Sequence, residues 1–127
     1  MIIKSYRDPL VWQRAMDLVA ESYRLTADLP KTETYGLATQ IRRAAVSIPT
    51  NIAEGHGRDH LGDYLHHLSV ANGSLMELET HFLLCVRLSY VPGNEVEGLL
   101  EKTGEVSRML SGLIRSLKQT RTAGARA

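Results

Sequence analysis

The stretch LGDYLHHLSVANGSLMELETHFLLC, residues 61–85, decides the fold. Within it Leu61, Leu65, Leu68, Ala71, Leu75, Leu78, Phe82 and Cys85 recur three or four residues apart. That spacing lines one face of an α-helix, whereas a strand would alternate apolar and polar residues with period two. It predicts a helix from about Asp59, serving as N-cap, to about Leu88, roughly 28 residues and ~42 Å long. Gly73-Ser74 in its middle weakens helix propensity, so these small residues read as a place where a neighbouring helix approaches closely.

The segments on either side repeat the signal. After Leu88, Tyr90-Val91-Pro92-Gly93 makes a turn, and Asn94 is an N-cap followed by acids in the first turn, where the macrodipole favours them. Leu99, Thr103, Val106, Leu110, Leu113 and Leu117 then follow at heptad spacing. Upstream, a helix starting at Thr32 or Thr34 carries Leu37, Ile41, Ala44, Ala45, Ile48 and Ile52 on its inner face. Pro49 falls inside that pattern and deletes the backbone bond to the Ala45 carbonyl, which predicts a bend rather than a break. Gly55 is expected to end the helix in the left-handed conformation.

A first helix opens at Asp8-Pro9, an N-cap followed by proline at the first helical position, and ends near Asp28. Val11, Ala15, Leu18, Ser22 and Leu25 form one stripe on it, and Trp12, Met16, Val19 and Tyr23 a second beside the first. Two adjoining stripes are wider than one bundle seam needs. The fold class is therefore all-α, an antiparallel up-down-up-down four-helix bundle. Residues 1–119 are assigned to the bundle and 120–127 to a basic, disordered tail.

Composition agrees with one helical domain. A chain of 127 residues can bury a substantial core, and 43% of this one is hydrophobic. Aromatics are scarce, with one tryptophan, one phenylalanine and five tyrosines, so Leu, Val, Ile and Ala must build the interior. A lone cysteine, Cys85, excludes an internal disulfide and fits a reducing compartment. No run approaches the ~20 apolar residues of a membrane span, and the N-terminus lacks a signal-peptide pattern, so the expected location is cytoplasmic.

Net charge is +1, without the global basic field of a dedicated nucleic-acid binder. The distribution is uneven, however. Residues 64–105 hold two basic and six acidic side chains, and after Glu105 come Arg108, Arg115, Lys118, Arg121 and Arg126 with no acid.

The run TQIRRAAVSIPTNIAEGHGR, residues 39–58, with Val11-Trp12-Gln13 upstream and GSLMELET, residues 73–80, downstream, resembles the bacterial 23S rRNA-intervening-sequence proteins. Some members of that family are encoded inside insertions in large-subunit ribosomal RNA genes. The resemblance extends over roughly residues 5–118. It implies an antiparallel bundle assembled as a homopentamer around a central channel. It also implies an architecture like that of the accessory proteins of diversity-generating retroelements, which bind nucleic acid and a reverse transcriptase. It carries no established biochemical activity. Two departures are local: His60 stands where relatives have a Ser or Thr cap, and the nucleic-acid-binding relatives are more basic.

Four sets of residues are candidates for function. Arg42, Arg43 and Arg58 are the best anion contacts, with ion pairing such as Arg43 to Glu54 as the alternative. Asn51 and Glu54, one turn apart beyond Pro49, read as structural polar groups that satisfy the carbonyl freed by the proline. Trp12, Met16, Val19 and Tyr23 read as a subunit interface, since such a patch in water usually marks one. His60, Asp63 and His67 have ligand-like spacing, with His56 and His66 nearby, but no second helix supplies matching ligands, and a solvated face is the preferred reading. No catalytic set and no cofactor site is assignable, and Cys85 reads as a buried thiol. The leading expectation is a non-enzymatic homo-oligomer that contacts RNA, DNA or a nucleic-acid enzyme. The alternative is a small-ligand or metal-binding bundle using Asn51, Glu54 and the histidines.

Overall fold

The structure, a computed structural model, describes residues 5–126, with side chains described to Thr120. Four α-helices account for most of it: α1 (Leu10–Thr26), α2 (Leu37–His56), α3 (Leu61–Arg87) and α4 (Gly93–Arg126). A single 3-10 turn, Lys31–Glu33, precedes α2, and there is no strand among the described residues. Each helix packs on the next, and α4 returns to pack on α1, while the backbones of the diagonal pairs stay apart. This is a four-helix bundle around one core.

The stripes read from the sequence face that core. Val11, Ala15, Leu18, Ser22 and Leu25 are buried on α1, and Leu68, Ala71, Leu75, Leu78, Phe82 and Cys85 on α3. On α4, Val96, Leu99, Thr103, Val106 and Leu110 are buried, and Leu113 and Leu117 pack against them in part. Three buried hydroxyls turn back on their own helices, Ser22 Oγ donating to the Leu18 carbonyl at 2.7 Å, Thr26 Oγ1 to that of Tyr23 at 2.7 Å and Thr103 Oγ1 to that of Leu100 at 2.9 Å. None brings an unsatisfied donor into the apolar interior.

Helix ends differ from the sequence expectation in instructive ways. Pro9, not Asp8, occupies the N-cap of α1, and the Asp8 carboxylate instead accepts from the Ser5 amide at 3.1 Å. His60 rather than Asp59 caps α3, and α4 begins at Gly93, directly after Pro92. The start of α2 moves from Thr32 or Thr34 to Leu37 because of Glu33. Its carboxylate accepts from the Leu37 amide at 3.1 Å and from the Tyr90 hydroxyl at 2.6 Å. The Tyr90 hydrogen bond, then the Leu37 one, hold this carboxyl below its usual range, and the same partnership pushes the Tyr90 phenol up. A negative charge thus sits at the N-terminus of α2, where orphan amides and the macrodipole favour it. Tyr90 reaches it through a Schellman ending of α3, with Ser89 left-handed at φ 61° and the Tyr90 amide donating to the Cys85 carbonyl at 2.9 Å.

Pro49 is buried and α2 runs through it unbroken. The helix does not end at Gly55 either. It continues to His56 with Gly57 as a right-handed C-cap, and no glycine among the described residues has positive φ. Gly55 is required for a different reason: a Cβ there would lie 2.8 Å from Tyr64 Cδ1 and 2.9 Å from His67 Cβ. Of the pair Gly73-Ser74, where a close approach is expected, Ser74 meets α2 through Ser47 Oγ at 2.8 Å, while a Cβ on Gly73 would meet nothing within 4 Å; the tighter approach is at Gly55. α4 continues to Arg126, past the bundle limit expected at residue 119. Its core-facing positions run out at Leu117, and residues 118–120 are exposed, so the last turns extend beyond the packed part. Arg121 and Arg126 of the expected tail lie outside the described side chains.

Gly55→Ala should gain up to ~1 kcal/mol of helix propensity and lose ~1–3 kcal/mol to overpacking against α3. The clash is the larger effect, so thermal unfolding should fall by several degrees. Gly112→Ala, where a Cβ meets nothing within 4 Å, should raise it slightly. Equal and positive shifts for the two variants would show that α3 does not press on Gly55.

Candidate interaction surface

The second stripe of α1 does not enter the core. Met16 and Tyr23 remain 44% and 45% exposed, and Trp12 and Val19 are only partly covered. Trp12, Met16 and Val19, with Val46, Pro49, Thr50, Ala53 and Glu54 of α2, line a mostly apolar groove of about 410 Å³. Tyr6 closes one end, its ring edge-on to Trp12 at 5.5 Å. One bundle seam per helix uses the first stripe, which leaves the second in water.

The groove leads into a more polar one of about 510 Å³, lined by Tyr23, Arg42, Arg43, Val46, Ser47, Thr50, Asn51 and Glu54. The Arg42 guanidinium lies 5.3 Å from the Tyr23 ring centre, and its Nε donates to Thr26 Oγ1 at 3.1 Å. Arg42 therefore holds α2 to the end of α1, with a cation–π contribution. Arg43, one residue on, is exposed and forms no ion pair with Glu54 or with any other described residue. Arg58 is exposed too, but it lies beyond the end of α2, and the 14 helical steps from Arg42 to His56 alone span about 21 Å at 1.5 Å per residue. The three arginines do not form one patch.

Asn51 and Glu54 meet α3. Asn51 Nδ2 donates to the Ser47 carbonyl at 2.9 Å and to Ser47 Oγ at 3.0 Å, which orients its amide. Its Oδ1 then faces His67 Nδ1 at 3.0 Å, so that nitrogen carries the proton. Ser74 Oγ donates to Ser47 Oγ at 2.8 Å, and Glu54 Oε2 stands 3.8 Å from His67 Nδ1. The carbonyl that Asn51 takes is that of Ser47, not the Ala45 carbonyl freed by Pro49. The result is a polar ladder across α2 and α3, with Ser47 opposite Ser74 and Asn51 opposite His67. Numbers rise on one helix as they fall on the other, so this pair is antiparallel.

His60, Asp63 and His67 are not gathered around a common point, and no described group of three His, Cys, Asp or Glu side chains has that arrangement. His67 is committed to Asn51, and His56 packs edge-on against Tyr64 at 6.0 Å. Cys85 is fully buried, and burial, followed by the Glu33 charge, pushes its thiol up into the protonated form. No described helix is long and apolar enough to cross a membrane.

Two features escape the sequence reading. One is a charged seam between α1 and α4, where Arg14 Nε bonds Glu105 Oε1 at 3.0 Å and Lys102 bonds Glu21. The other is a set of exposed apolar residues on the outside of α3, Val70, Met76, Leu83, Leu84 and Leu88. The signal for the second is present in residues 61–88, which are apolar well beyond their core heptad.

A family model for the 23S rRNA-intervening sequence proteins matches residues 7–112, most of the packed part of the bundle. The chain belongs to that family. Its fold is shared with a crystal structure from Bacteroides thetaiotaomicron, a protein of unknown function from the S23 ribosomal protein family. The two superpose with a TM-score of 0.78 at 21% identity, over 84% of this chain and 96% of the other. No curated protein matches. In this family member the 39–58 run that carries the sequence resemblance forms α2 and its exit, the helix that touches both the open groove and the polar ladder.

Replacing Asn51 with leucine removes the acceptor for His67 and a donor to Ser47. With partly buried groups left unpaired, a loss of ~1–3 kcal/mol is expected in denaturant unfolding. Asn51→Asp keeps an acceptor for His67 Nδ1 and should lose less than the leucine variant. Equal losses for the two variants would rule out that hydrogen bond as a source of stability.

Proposed function

We propose that this chain is a non-enzymatic, cytoplasmic bundle protein that works as a homo-oligomer, with Trp12, Met16, Val19 and Tyr23 in the subunit contact. The observation that carries this reading is the apolar groove between α1 and α2, which the chain's own residues leave open. Burying a side chain of this kind contributes ~1.5–3 kcal/mol, so four of them favour association at micromolar concentration. The family resemblance suggests five copies. The polar groups that the sequence brings near one another, Ser47, Asn51, His67 and Ser74, are engaged in holding α2 to α3, which supports an architectural role for them.

Light scattering on the intact chain at micromolar concentration should give several subunit masses. Met16→Glu should reduce this to one subunit mass while circular dichroism stays helical. A wild-type monomer would refute the proposal.

Nucleic-acid contact is a second reading, favoured by Arg43 and Arg58, exposed cations with no ion pair among the described residues. It would place the assembly on RNA, on DNA or beside a nucleic-acid enzyme. Binding of a labelled single-stranded RNA should then weaken steeply between 50 and 200 mM salt, by roughly tenfold or more. The combined Arg43→Ala and Arg58→Ala variant should bind more weakly and with a shallower salt slope; unchanged binding would exclude these residues.

A further inference from the structure

α1 carries a third stripe, Arg14, Asp17, Glu21, Arg24 and Asp28, which lies nearly opposite the Trp12–Tyr23 stripe and borders α4. Two hollows run along that seam. One, of about 430 Å³, reaches from Arg14 and Glu105 to Arg24, and the other, of about 320 Å³, from Arg24 to Asp28 and Glu95. Glu21, Arg24 and Lys102 line both, so the two form one cleft. Ala20 and Gly98 keep it wide: neither fills it with a long side chain, and a Cβ on Gly98 would meet nothing within 4 Å.

Some of its charges are engaged and others are not. Arg14 is held by Glu105 at 3.0 Å and by Asp17 at 3.6 Å, and Lys102 by Glu21 Oε1. The other Glu21 oxygen, Oε2, is buried and accepts no hydrogen bond from the described residues. Arg24, Asp28 and Glu95 make no ion pair among the described residues. A buried carboxylate oxygen calls for a donor, and a guanidinium matches a carboxylate that it can grip with two N–H groups. Two acids on one hollow match a cation. Over the whole cleft five acids face three bases, so a ligand with a net positive charge is favoured.

We propose that the α1–α4 cleft binds a free basic amino acid, lysine or arginine. Its ammonium meets Glu21 Oε2, its carboxylate meets Arg24, and its side-chain cation lies between Asp28 and Glu95. Glu21 and Asp28 are two turns apart on α1, about 10 Å along the axis, which an extended basic amino acid spans with a hydrogen bond at each end. An amino acid without a side-chain charge leaves the two acids unmatched, and a diamine leaves Arg24 facing a cation. The cleft is on the other side of α1 from the proposed subunit contact and does not depend on it.

Isothermal titration calorimetry on the intact chain tests this. Lysine and arginine should bind saturably at millimolar concentration, and alanine, cadaverine and Nα-acetyl-lysine should each bind at least tenfold more weakly. Cadaverine lacks the carboxylate and Nα-acetyl-lysine the ammonium, so weak binding of the latter also separates a free amino acid from a lysine inside a polypeptide. Arg24→Ala should lower the affinity for lysine to near that for cadaverine, and Asp28→Asn with Glu95→Gln should bring it near that for alanine. All three positions are exposed, so both variants should stay folded by circular dichroism. Arg43→Ala, remote from the cleft, should bind lysine as the wild type does. Lysine binding unchanged in both cleft variants would overturn the site. Cadaverine binding as tightly as lysine would overturn the ligand class, and no saturable binding of either amino acid would overturn the proposal altogether.

Discussion

The contact between α2 and α3 is the constraint from which the rest of the bundle follows. Gly55 lets the backbone of α2 come within side-chain contact of Tyr64 and His67, closer than any residue with a Cβ allows. Above it, the Ser74–Ser47–Asn51–His67 ladder sets the register, because each hydrogen bond is satisfied at one relative placement of the helices. Apolar surfaces alone tolerate sliding, whereas a partly buried amide and imidazole do not. With α2 placed on α3, α1 must cover the other side of α2, and the Arg42–Thr26 bond marks where it ends.

That placement decides what is left exposed. α1 packs its first stripe inward and keeps its second beside Val46 and Pro49, so α1 and α2 share an open groove. α3 lies between α2 and α4 and has no neighbour on its outer side. Glu77 and Arg87 both fall on that outer face, so it carries charge of both signs. Arg43 lies beside the groove, as does Glu54.

Much of this was legible in the residues. Leu61 to Cys85 announced α3, and the doubled stripe on α1 announced a surplus of apolar surface, because spacing along a helix maps directly onto its faces. Local ends were less legible. Asp8, Asp59 and Asn94 are good caps by residue type, yet neighbouring positions took those places, since caps compete over one or two residues and packing decides among them. Gly55 was read as a helix end because glycine has two uses, left-handed backbone and close approach, and only the position of α3 tells them apart. In the pair Gly73-Ser74 it is Ser74 that meets α2, which again only the position of the neighbouring helix decides. Adjacent Arg42 and Arg43 must point apart on a helix, but only the position of α1 decides that Arg42 meets Tyr23 and Thr26 while Arg43 is exposed.

The sequence by itself therefore determined the four helices, their inward faces and the family, since all three depend on periodicity and local motif. Tertiary structure alone decided which small residue carries a helix contact, which carbonyl Asn51 satisfies, that Glu33 starts α2 through Tyr90, and that the outer side of α3 is bare. Each of these joins residues from different helices, 16 residues apart for Asn51 and His67 and 57 for Glu33 and Tyr90. Such pairings follow from how helices are laid side by side, and no repeat along a single chain segment encodes them.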